Sequence, residues 1–582
     1  MTCDYLVVGA GTATLSFVDT LLSRRKDVTF IIVDRNSAPG GHWTTAYPFV
    51  KLHQPSASYG VNSMPLSYLD KKGREPWDQN DRASGKQICD YYERVVRKFE
   101  ATGRVRTYFD ANYEGEAKDV ESNHINSNNY NDPTALITHT ISDKNGQIIH
   151  IECTKIVRSE TNVRVPSMRA GLPFPIDESV VKSIPLNCLP ANIGEEQAHK
   201  KYIVIGGGKS GTDAIMYLIT KGKIRHYQIT WIVPRPAWYL VSDKMQTTTK
   251  PGRIFWRDSA VLLFTPLLEA NSATEIFLNM EKLGVTQRVD TTDPQVPCVF
   301  KGATLNQSEM DELRKIPHEN VVKNKGRVTS ITPNEVVFAN GEHSIPFSPA
   351  DTLVVDCTAD NLYDYLAFED GFQIFNLHKI RIGPITNFLN PSHTSSQIGF
   401  LESEYSDTAA GDEVKNSFMY FCRGSELSPS CQYLPINYYA QIKTSRALYK
   451  CPNYRSFVLA SRTNRQQPNH HGGILGWMWA VLGPIKLRKK ALDFVEKMEN
   501  GGYIDFPTNP LPGRIPVDAA KMRASIRTRP KAKEQSKGSF KCISIKMIWE
   551  KISQKKYRGV TKPRSLPIKK PSGSTDKDTS TN

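Results

Sequence analysis

The stretch Asp4–Thr14 (DYLVVGAGTAT) joins a short apolar strand to a glycine turn. Apolar residues then recur at helical spacing, at Leu15, Val18 and Leu22, and a second apolar run ends in Asp34. A strand, a glycine turn, an amphipathic helix and a second strand together make one β-α-β unit. We predict this unit over residues 4–34.

The turn itself has the pattern G-x-G-x-x-T. Gly9 and Gly11 permit a tight turn and let backbone amides approach a pyrophosphate at the N-terminus of the helix. Asp34 stands where an acid accepts hydrogen bonds from adenosine ribose hydroxyls, whereas Thr14 replaces the usual Gly or Ala. We predict that Gly9, Gly11, Thr14 and Asp34 bind a dinucleotide, with FAD favoured because the unit comes first in the chain. The alternative is a β-α-β unit without a ligand.

The same pattern returns at residues 202–233, with strands Tyr202–Ile205 and Ile229–Val233 on either side of helix Thr212–Thr220. The turn between them, Gly206–Gly211 (GGGKSG), is a complete G-x-G-x-x-G. We predict a second dinucleotide site here, formed by Gly206, Gly208, Ser210 and Gly211.

The second strand of this later unit ends in Val233-Pro234-Arg235 rather than in an acid. A guanidinium can pair with a 2′-phosphate, which a carboxylate would repel, so Arg235 favours NADPH over NADH. An ordinary surface arginine is the alternative interpretation. Lys209 could also reach a phosphate, and the sequence does not rank the two cations.

The net charge of the 582-residue chain is +16, which by itself suggests a nucleic-acid or membrane partner. The position of the charged residues along the chain changes that interpretation. Residues 521–582 carry 18 Lys plus Arg and 4 acidic residues, net +14, which leaves 57 basic against 55 acidic residues in the rest. The charge therefore belongs to a basic C-terminal tail, and we expect no nucleic-acid partner for the body. Composition leaves two interpretations of the tail open: a solvated, disordered extension, or peripheral contact with an anionic membrane or an acidic protein.

The ten cysteines are scattered, without a C-x-x-C pair, as is typical of a reducing compartment. The chain begins with neither a basic n-region nor an apolar core, and its longest apolar run, residues 474–485, is too short to span a bilayer. We therefore expect a cytoplasmic protein. No metal site is expected, because the adjacent His470 and His471 lack a third ligand at suitable spacing.

After the first unit come Pro39–Trp43 (PGGHW) and Tyr47–Ser63 (YPFVKLHQPSASYGVNS). These stretches resemble the flavin-containing monooxygenase family and its Baeyer-Villiger and N-hydroxylating relatives, in which a G-G-x-W segment and a later Asn run past the isoalloxazine ring. The resemblance covers roughly residues 1–240. It implies that Gly41, Trp43 and Gln54 contact FAD, and that Asn62 is a catalytic donor near the flavin. The alternative for Asn62 is a turn residue after Gly60.

The resemblance also implies a function: an FAD-dependent, NADPH-reduced monooxygenase that acts on a small organic substrate and O2 through a flavin C4a-peroxy intermediate. In the segment Asp356–Asp360, Asp360 is expected to serve the ribityl or pyrophosphate region of FAD. Two family motifs are missing, one just before the second glycine turn and one at residues 159–162, and both departures concern oxygen insertion. A reductase or oxidase with the same cofactors, or a non-catalytic flavoprotein scaffold docked by its tail, are therefore the alternatives.

The predicted fold class is α/β, with two Rossmann-like dinucleotide-binding domains, the NADPH domain being inserted into the FAD domain. We place the first part of the FAD domain at 1–200, the NADPH domain at 201–350, the second part of the FAD domain at 351–510, and a disordered basic tail at 511–582. Within these parts we predict a helix over Ala273–Leu283, a hairpin or meander over Val322–Phe347, and a buried strand at Thr352–Val355. We also predict a loop insertion at 123–131 and a helix opened by Gly472 and Gly473. The sequence is silent on oligomeric state.

Overall fold

The computed structural model describes residues 1–66, 81–117, 132–159, 173–194, 199–245, 260–339, 343–358, 372–382, 390–420, 430–463, 489–506 and 517–527. The predicted loop at 123–131, the helix after Gly473, Asp360 and the tail beyond residue 527 lie outside these ranges.

The strands, numbered in chain order, are β1 Thr2–Val8, β2 Phe30–Val33, β3 Val105–Tyr108, β4 Asn112–Glu116, β5 Ile137–Ser142, β6 Ile148–Ser159, β7 Ser183–Pro185, β8 Lys201–Ile205, β9 Ile229–Val233, β10 Ala237–Val241, β11 Thr286–Gln287, β12 Val299–Leu305, β13 Val321–Lys323, β14 Val328–Ile331, β15 Glu335–Phe338, β16 Ser344–Pro346, β17 Thr352–Asp356, β18 Phe375–Asn376 and β19 Lys379–Ile382.

The α-helices are α1 Thr12–Arg24, α2 Gly85–Glu100, α3 Lys209–Thr220, α4 Ser242–Met245, α5 Thr265–Glu269, α6 Ala273–Lys282, α7 Gln307–Leu313, α8 Pro391–Glu404, α9 Ala409–Asn416, α10 Tyr433–Leu448, α11 Tyr454–Ala460 and α12 Ala519–Ala524. Residues 489–499 are also helical.

The first sheet contains the N-terminal β-α-β unit. Its order is β18-β19-β6-β1-β2-β3, with β5 and β4 added beside β6. Strands β19, β6, β1, β2 and β3 run parallel, so their carboxyl ends meet at one edge. Val8 pairs with Val33 in the β1–β2 register, which brings Gly9 and Asp34 side by side at that edge. Leu6 and Val7 of β1 are fully buried, and burial of such a side chain stabilises the fold by ~1.5–3 kcal/mol.

The second sheet contains the second unit and is entirely parallel, in the order β13-β9-β8-β17-β7. Two smaller sheets accompany it, β11-β10-β12 and the antiparallel meander β14-β15-β16. The chain enters the second sheet at β7 and returns to the first sheet at β18 and β19, so the second unit is inserted between strands of the first. The predicted α/β fold with two Rossmann-like units is confirmed.

The elements predicted inside these units are also present: α6 over the expected helix, the meander before residue 347, and β17 over the expected buried strand. Two strands of the second sheet lie outside the range 201–350 predicted for the NADPH domain. Strand β7 precedes residue 201, and strand β17 follows residue 350. The domain boundaries themselves stay a prediction.

Candidate functional site

The first glycine turn closes over the carboxylate of Asp34. Gly9 has φ +99°, a conformation that side chains with a Cβ rarely adopt, and its N–H donates to the carbonyl of Val33 at 2.7 Å. The Ala10 N–H donates to Asp34 Oδ2 at 2.5 Å, and the backbone and side-chain amides of Asn36 donate to Oδ1 at 2.8 Å each. Asp34 is only 5% exposed. Its carboxylate is therefore fixed beside the turn, where we predicted the acid to lie.

The helices that follow the two glycine turns have no side-chain cap at their N-termini, as is also true of α5, α10 and α11. Helices α1 and α3 are preceded by Gly11 and Gly208, with no side-chain cap and no acidic residue in the first turn. In contrast, a side-chain oxygen caps α2, α6, α7, α8, α9 and α12, from Ser84, Ser272, Asn306, Asn390, Thr408 and Asp518 respectively. The first-turn amides of α1 and α3 thus lack the side-chain acceptor that those helices have, and they suit an anionic ligand.

The contacts of Thr14 explain why a threonine is tolerated where the glycine pattern usually has Gly or Ala. The Thr14 hydroxyl donates to the carbonyl of Gly11 at 2.9 Å. Its methyl group lies 4.0 Å from the position that a Cβ on Gly9 would occupy, an ordinary van der Waals distance. Thr14 therefore fits against the turn without a close contact, and its hydroxyl is paired with the turn.

The G-G-x-W segment lies directly against this turn. The Gly40 N–H donates to the Ala10 carbonyl at 2.9 Å. Gly41 has φ +60°, and a Cβ added to it would lie 3.0 Å from the Cα of Gly11. Trp43 follows in a short 3-10 helix, Gly41–Thr44. Only glycine allows the two backbones to approach this closely.

Trp43 begins a hydrogen-bonded cluster at the N-terminus of α1. Its indole N–H donates to the Tyr59 hydroxyl at 2.7 Å, and Tyr59 in turn bonds the hydroxyl of Thr12. Tyr92 donates to the same Thr12 hydroxyl at 2.8 Å. Burial raises the pKa of both tyrosines, so both hydroxyls stay protonated at neutral pH. This cluster fixes the Trp43 ring; Tyr59 and Tyr92 were not singled out from the sequence.

Asn62 is tied to a segment about 400 residues later in the chain. Its Oδ1 accepts from Ser461 Oγ at 3.0 Å, from Thr463 Oγ1 at 3.2 Å and from the Thr463 N–H at 3.3 Å. Among the described residues, its amide nitrogen has no partner. Asn62 lies in a turn, as its alternative interpretation required, but its side chain also makes long-range contacts. The amide nitrogen is the group left to donate to a ligand.

Arg462 is a buried cation that no sequence motif marks. It is 6% exposed and donates to three carbonyls of the segment before Asn62, those of Ala57, Tyr59 and Val61. Gln54 lies in the same segment, where its side chain donates to the Ser58 carbonyl at 3.4 Å. No motif marks Ser461–Thr463 in the sequence, because its role depends on contacts with residues 57–62.

The helix that begins beside Asn62 in the described structure is α8. Its capping residue Asn390 donates to the Thr463 carbonyl at 2.8 Å, and Thr463 contacts Asn62. The buried hydroxyls of Ser392, Ser395 and Ser396 in this helix have no partner among the described residues. The sequence pointed instead to a helix after Gly473, which lies outside those residues.

Close contacts hold the second glycine turn on one side, whereas its Gly208 side meets no described atom. Gly206 has φ +135°, and a Cβ there would lie 2.8 Å from the carbonyl of Cys357, while one on Gly211 would overlap the Gly206 carbonyl. Trp231 Nε1 and the Tyr239 hydroxyl donate to the carbonyls of Gly206 and Gly207, at 2.9 and 2.8 Å. A Cβ on Gly208 would meet no described atom within 4 Å. The turn is thus held in place with its Gly208 face free for a ligand.

The two cations near this turn differ in what they contact. Lys209 Nζ lies 2.5 Å from Asp213 Oδ1 and 3.3 Å from Glu309 Oε1. Burial alone would lower the pKa of Lys209, but these carboxylates outweigh burial and hold the pKa above its usual value. Arg235 is exposed, and no ion pair of its side chain occurs within the described ranges. Its carbonyl lies 3.8 Å from the Cβ position of Gly207. Lys209 is therefore engaged, whereas Arg235 lies next to the turn with its charge available.

Ser210 lies in the first turn of α3, close to the hydroxyl of Tyr47. Tyr47 donates to Asp213 Oδ2 at 2.6 Å, and Phe49 stacks on Tyr217 of the same helix with ring centroids 4.1 Å apart. The stretch from Gly41 to Phe49 therefore contacts the first glycine turn at one end and α3 at the other. The sequence did not predict this connection.

Three further observations concern a buried histidine, metal ligands and membrane-spanning helices. Burial, together with the nearby cations Lys209 and Arg82, lowers the pKa of His53 to about 3, so this ring is neutral at pH 7. Within the described ranges, no group of His, Cys, Asp and Glu side chains could hold a metal ion. None of the helices in those ranges combines the length and the apolar character needed to cross a bilayer.

The chain was compared with family models, curated proteins and solved structures. No family model matches it. An uncharacterized protein of Mycobacterium tuberculosis, like its counterpart in Mycobacterium bovis, is 33% identical over 367 residues, which are 61% of this chain and 60% of the relative. The match therefore spans less than two thirds of the relative's length.

Similar solved structures include a polycyclic ketone monooxygenase from Thermothelomyces thermophila, with 13% identity, a TM-score of 0.43 and coverage of 83% of this chain and 89% of that one. An oxidized steroid monooxygenase bound to NADP has 12% identity, a TM-score of 0.42 and coverage of 86% and 98%. A bacillithiol disulfide reductase from Bacillus cereus has 12% identity, a TM-score of 0.41 and coverage of 69% and 99%.

Proposed function

We propose that this chain is an FAD-dependent oxidoreductase reduced by NADPH, and that it inserts one oxygen atom from O2 into a small organic substrate. One observation carries the proposal: the segment Gly41–Phe49 contacts the first glycine turn and the helix α3 that follows the second, so nucleotides held at the two turns would meet across it. When bound, FAD would accept a hydride from NADPH and pass electrons to O2.

The first turn suits FAD. The amides at the N-terminus of α1 face no side-chain cap, and Gly9 and Gly11, which lack side chains, would let a pyrophosphate approach them. Asp34 holds a carboxylate beside the turn, where it would accept ribose hydrogen bonds. Gly41, Trp43 and Gln54 lie along the segment that would pass the isoalloxazine ring. Asp360, proposed for the ribityl or pyrophosphate region, lies outside the described residues.

The second turn suits NADPH rather than NADH. The α3 amides and the open face of Gly208 would hold the pyrophosphate, beside Ser210. Lys209 is paired with two carboxylates and is a poor phosphate ligand. Arg235 is exposed beside the turn and would pair with the 2′-phosphate.

Asn62 is the proposed catalytic residue. Its carboxamide oxygen is held by Ser461 and Thr463, which orients the amide nitrogen as a donor. An amide donates without titrating, so it would stabilise negative charge developing on oxygen across the working pH range. Shielding by the surrounding buried residues 55–61 would limit release of H2O2.

A second candidate function is reduction of FAD by NADPH with direct transfer to O2, without oxygen insertion. The two family motifs missing from the sequence favour it. A non-catalytic scaffold is less well supported, because Gly206, Gly207 and Gly211 are each held by close contacts that a disused site does not need.

The eight described cysteines are all unpaired, which supports a reducing compartment such as the cytoplasm.

The test uses the purified full-length chain. Its absorbance spectrum reports bound flavin, anaerobic mixing with NADPH or NADH gives the rate of flavin reduction, and O2 is then admitted in a stopped-flow instrument. A transient absorbance that precedes the return of the oxidised spectrum supports oxygen insertion, although one H2O2 per NADPH is finally released because no oxygen acceptor is present. Immediate return with one H2O2 per NADPH favours the second candidate, and a chain that binds no flavin refutes both.

A further inference from the structure

The segment between the two glycine turns is held at both ends by unusual contacts. Gly41 is in backbone contact with Gly11, and six residues later Tyr47 contacts α3 of the second unit. Trp43 packs against the apolar cores of both units, whereas Tyr47 belongs to the core of the second. This short piece of chain therefore bridges the two units.

Its second end is held by a charged network rather than by apolar contacts alone. The Tyr47 hydroxyl donates to one oxygen of Asp213 at 2.6 Å, and the other oxygen accepts from Lys209 at 2.5 Å. Lys209 also contacts Glu309, whose second oxygen accepts the N–H of Asn306 at 2.8 Å and is thereby fixed at the start of α7. Tyr47 is 6% exposed, and the side chains of Lys209 and Asp213 are 16% and 14% exposed.

The buried charges of this network are costly compared with apolar side chains of the same shape. Taking an ammonium and a carboxylate out of water carries a penalty that their attraction only partly offsets. Such a pair instead specifies one side-chain geometry, because its hydrogen bonds are satisfied in only one arrangement. Here that arrangement fixes Asp213 on α3, and Asp213 fixes Tyr47.

We propose that Tyr47, Asp213 and Lys209 are positioning residues that hold the second glycine turn at a set distance from the first. This inference rests on the proposed function, since the distance matters because a hydride must pass between the two bound nucleotides. Hydride transfer requires reacting atoms about 3–3.5 Å apart, and a misplacement of about 1 Å can lower a rate by about 100-fold. The network would thus set the rate of flavin reduction without contacting either nucleotide's reacting atoms.

The experiment compares Tyr47→Phe, Asp213→Asn and the double variant with the wild-type chain. Tyr47→Phe removes the hydroxyl, and Asp213→Asn keeps an acceptor for it but removes the charge that pairs with Lys209. Tyr439→Phe is the matched control, because Tyr439 also donates to a carboxylate, that of Glu499 at 3.0 Å, outside both turns. Anaerobic stopped flow measures the limiting rate of flavin reduction and the Kd for NADPH separately.

We expect the limiting rate to fall by about 10-fold in each single variant, with the Kd for NADPH changed less than about twofold. The double variant should lose no more than the slower single variant, because both changes break one network. The Tyr439→Phe control should match the wild type. A limiting rate equal to the control, or a Kd that rises in step with the loss of rate, would overturn the inference.

Amide hydrogen exchange supplies a readout that does not depend on turnover. Amides of residues 45–50 and 206–211 should exchange about 10-fold faster in Tyr47→Phe and in Asp213→Asn, and not in Tyr439→Phe. Unchanged exchange in both stretches would refute the coupling even if no flavin bound. Conversely, a wild-type chain that NADPH cannot reduce would refute the proposed function, while faster exchange in the variants would still support the positioning network.

Discussion

Replacement of Gly41 by Ala should separate the two backbones that meet at the first glycine turn. Gly41 has φ +60°, so an alanine there costs ~1–2 kcal/mol of conformational energy. The new Cβ would also lie 3.0 Å from the Cα of Gly11, against an optimum of about 3.5–4.0 Å between carbon atoms. Both atoms are attached to main chain, so the turn must move by about 0.5 Å or more to relieve the contact.

Gly103→Ala separates these two effects. Gly103 has φ +70°, nearly the same conformation, but a Cβ on it would meet no described atom within 4 Å. Both variants should therefore lose ~1–2 kcal/mol of unfolding free energy from the backbone, measured by denaturant titration. Only Gly41→Ala should also weaken FAD binding, by about 10-fold or more, because the displaced amides no longer face the pyrophosphate together.

FAD affinity is measured by quenching of flavin fluorescence as apoprotein is added to the free cofactor. If Gly41→Ala binds FAD as tightly as Gly103→Ala does, then the Gly11–Gly41 contact does not shape the flavin site. If Gly103→Ala weakens FAD equally, then the loss arises from general destabilisation and the structural argument fails.

Four further predictions follow from the same geometry. Arg235→Ala should raise the KM for NADPH about 10-fold or more and that for NADH less than about twofold, and equal effects on both would remove the 2′-phosphate argument. Asn62→Ala should leave the rate of flavin reduction within about twofold but shorten the transient seen in stopped flow after O2 is admitted, so an unchanged lifetime would contradict its role at oxygen. The folded state holds the pKa of His53 near 3, below its usual 6.5, so the unfolding free energy should fall as the pH drops from about 6.5 towards 3. This group contributes at most about 1.4 kcal/mol per pH unit to that fall. His53→Gln should flatten the slope in denaturant titrations, and an identical slope would show that other groups dominate. Removal of residues 528–582 should abolish salt-sensitive binding to phosphatidylserine-containing vesicles in a sedimentation assay if the tail contacts anionic membranes, and binding that survives the truncation would exclude the tail as the contact.

Much of the fold could be predicted because its signals are local. The strands, the turns and the starts of α1 and α3 follow from apolar spacing and from glycines within a few residues of one another. The meander before β17 followed from alternating residues around a turn, and α6 from helical spacing. Each prediction needed only a short window of sequence.

Residues of the candidate site were harder to assign where their partners are distant. Lys209 and Arg235 were indistinguishable as phosphate ligands in the sequence. The structure separates them because Glu309, on α7, lies 3.3 Å from Lys209 and completes its pairing. In the same way, the contacts of Ser461 and Thr463 with the Asn62 side chain could not be predicted, because these residues follow Asn62 by about 400 positions.

The sequence by itself determined that this chain has two glycine turns, each between a buried strand and a helix, and that its excess charge lies in the last 62 residues. It could do so because a tight turn, a helix start and a charge count depend on nearby residues alone. Only the tertiary structure decided how the turns are joined: Gly41 against Gly11, and Tyr47 on Asp213. Those contacts join residues separated in the chain, and their existence depends on how the sheets pack, which no local pattern records.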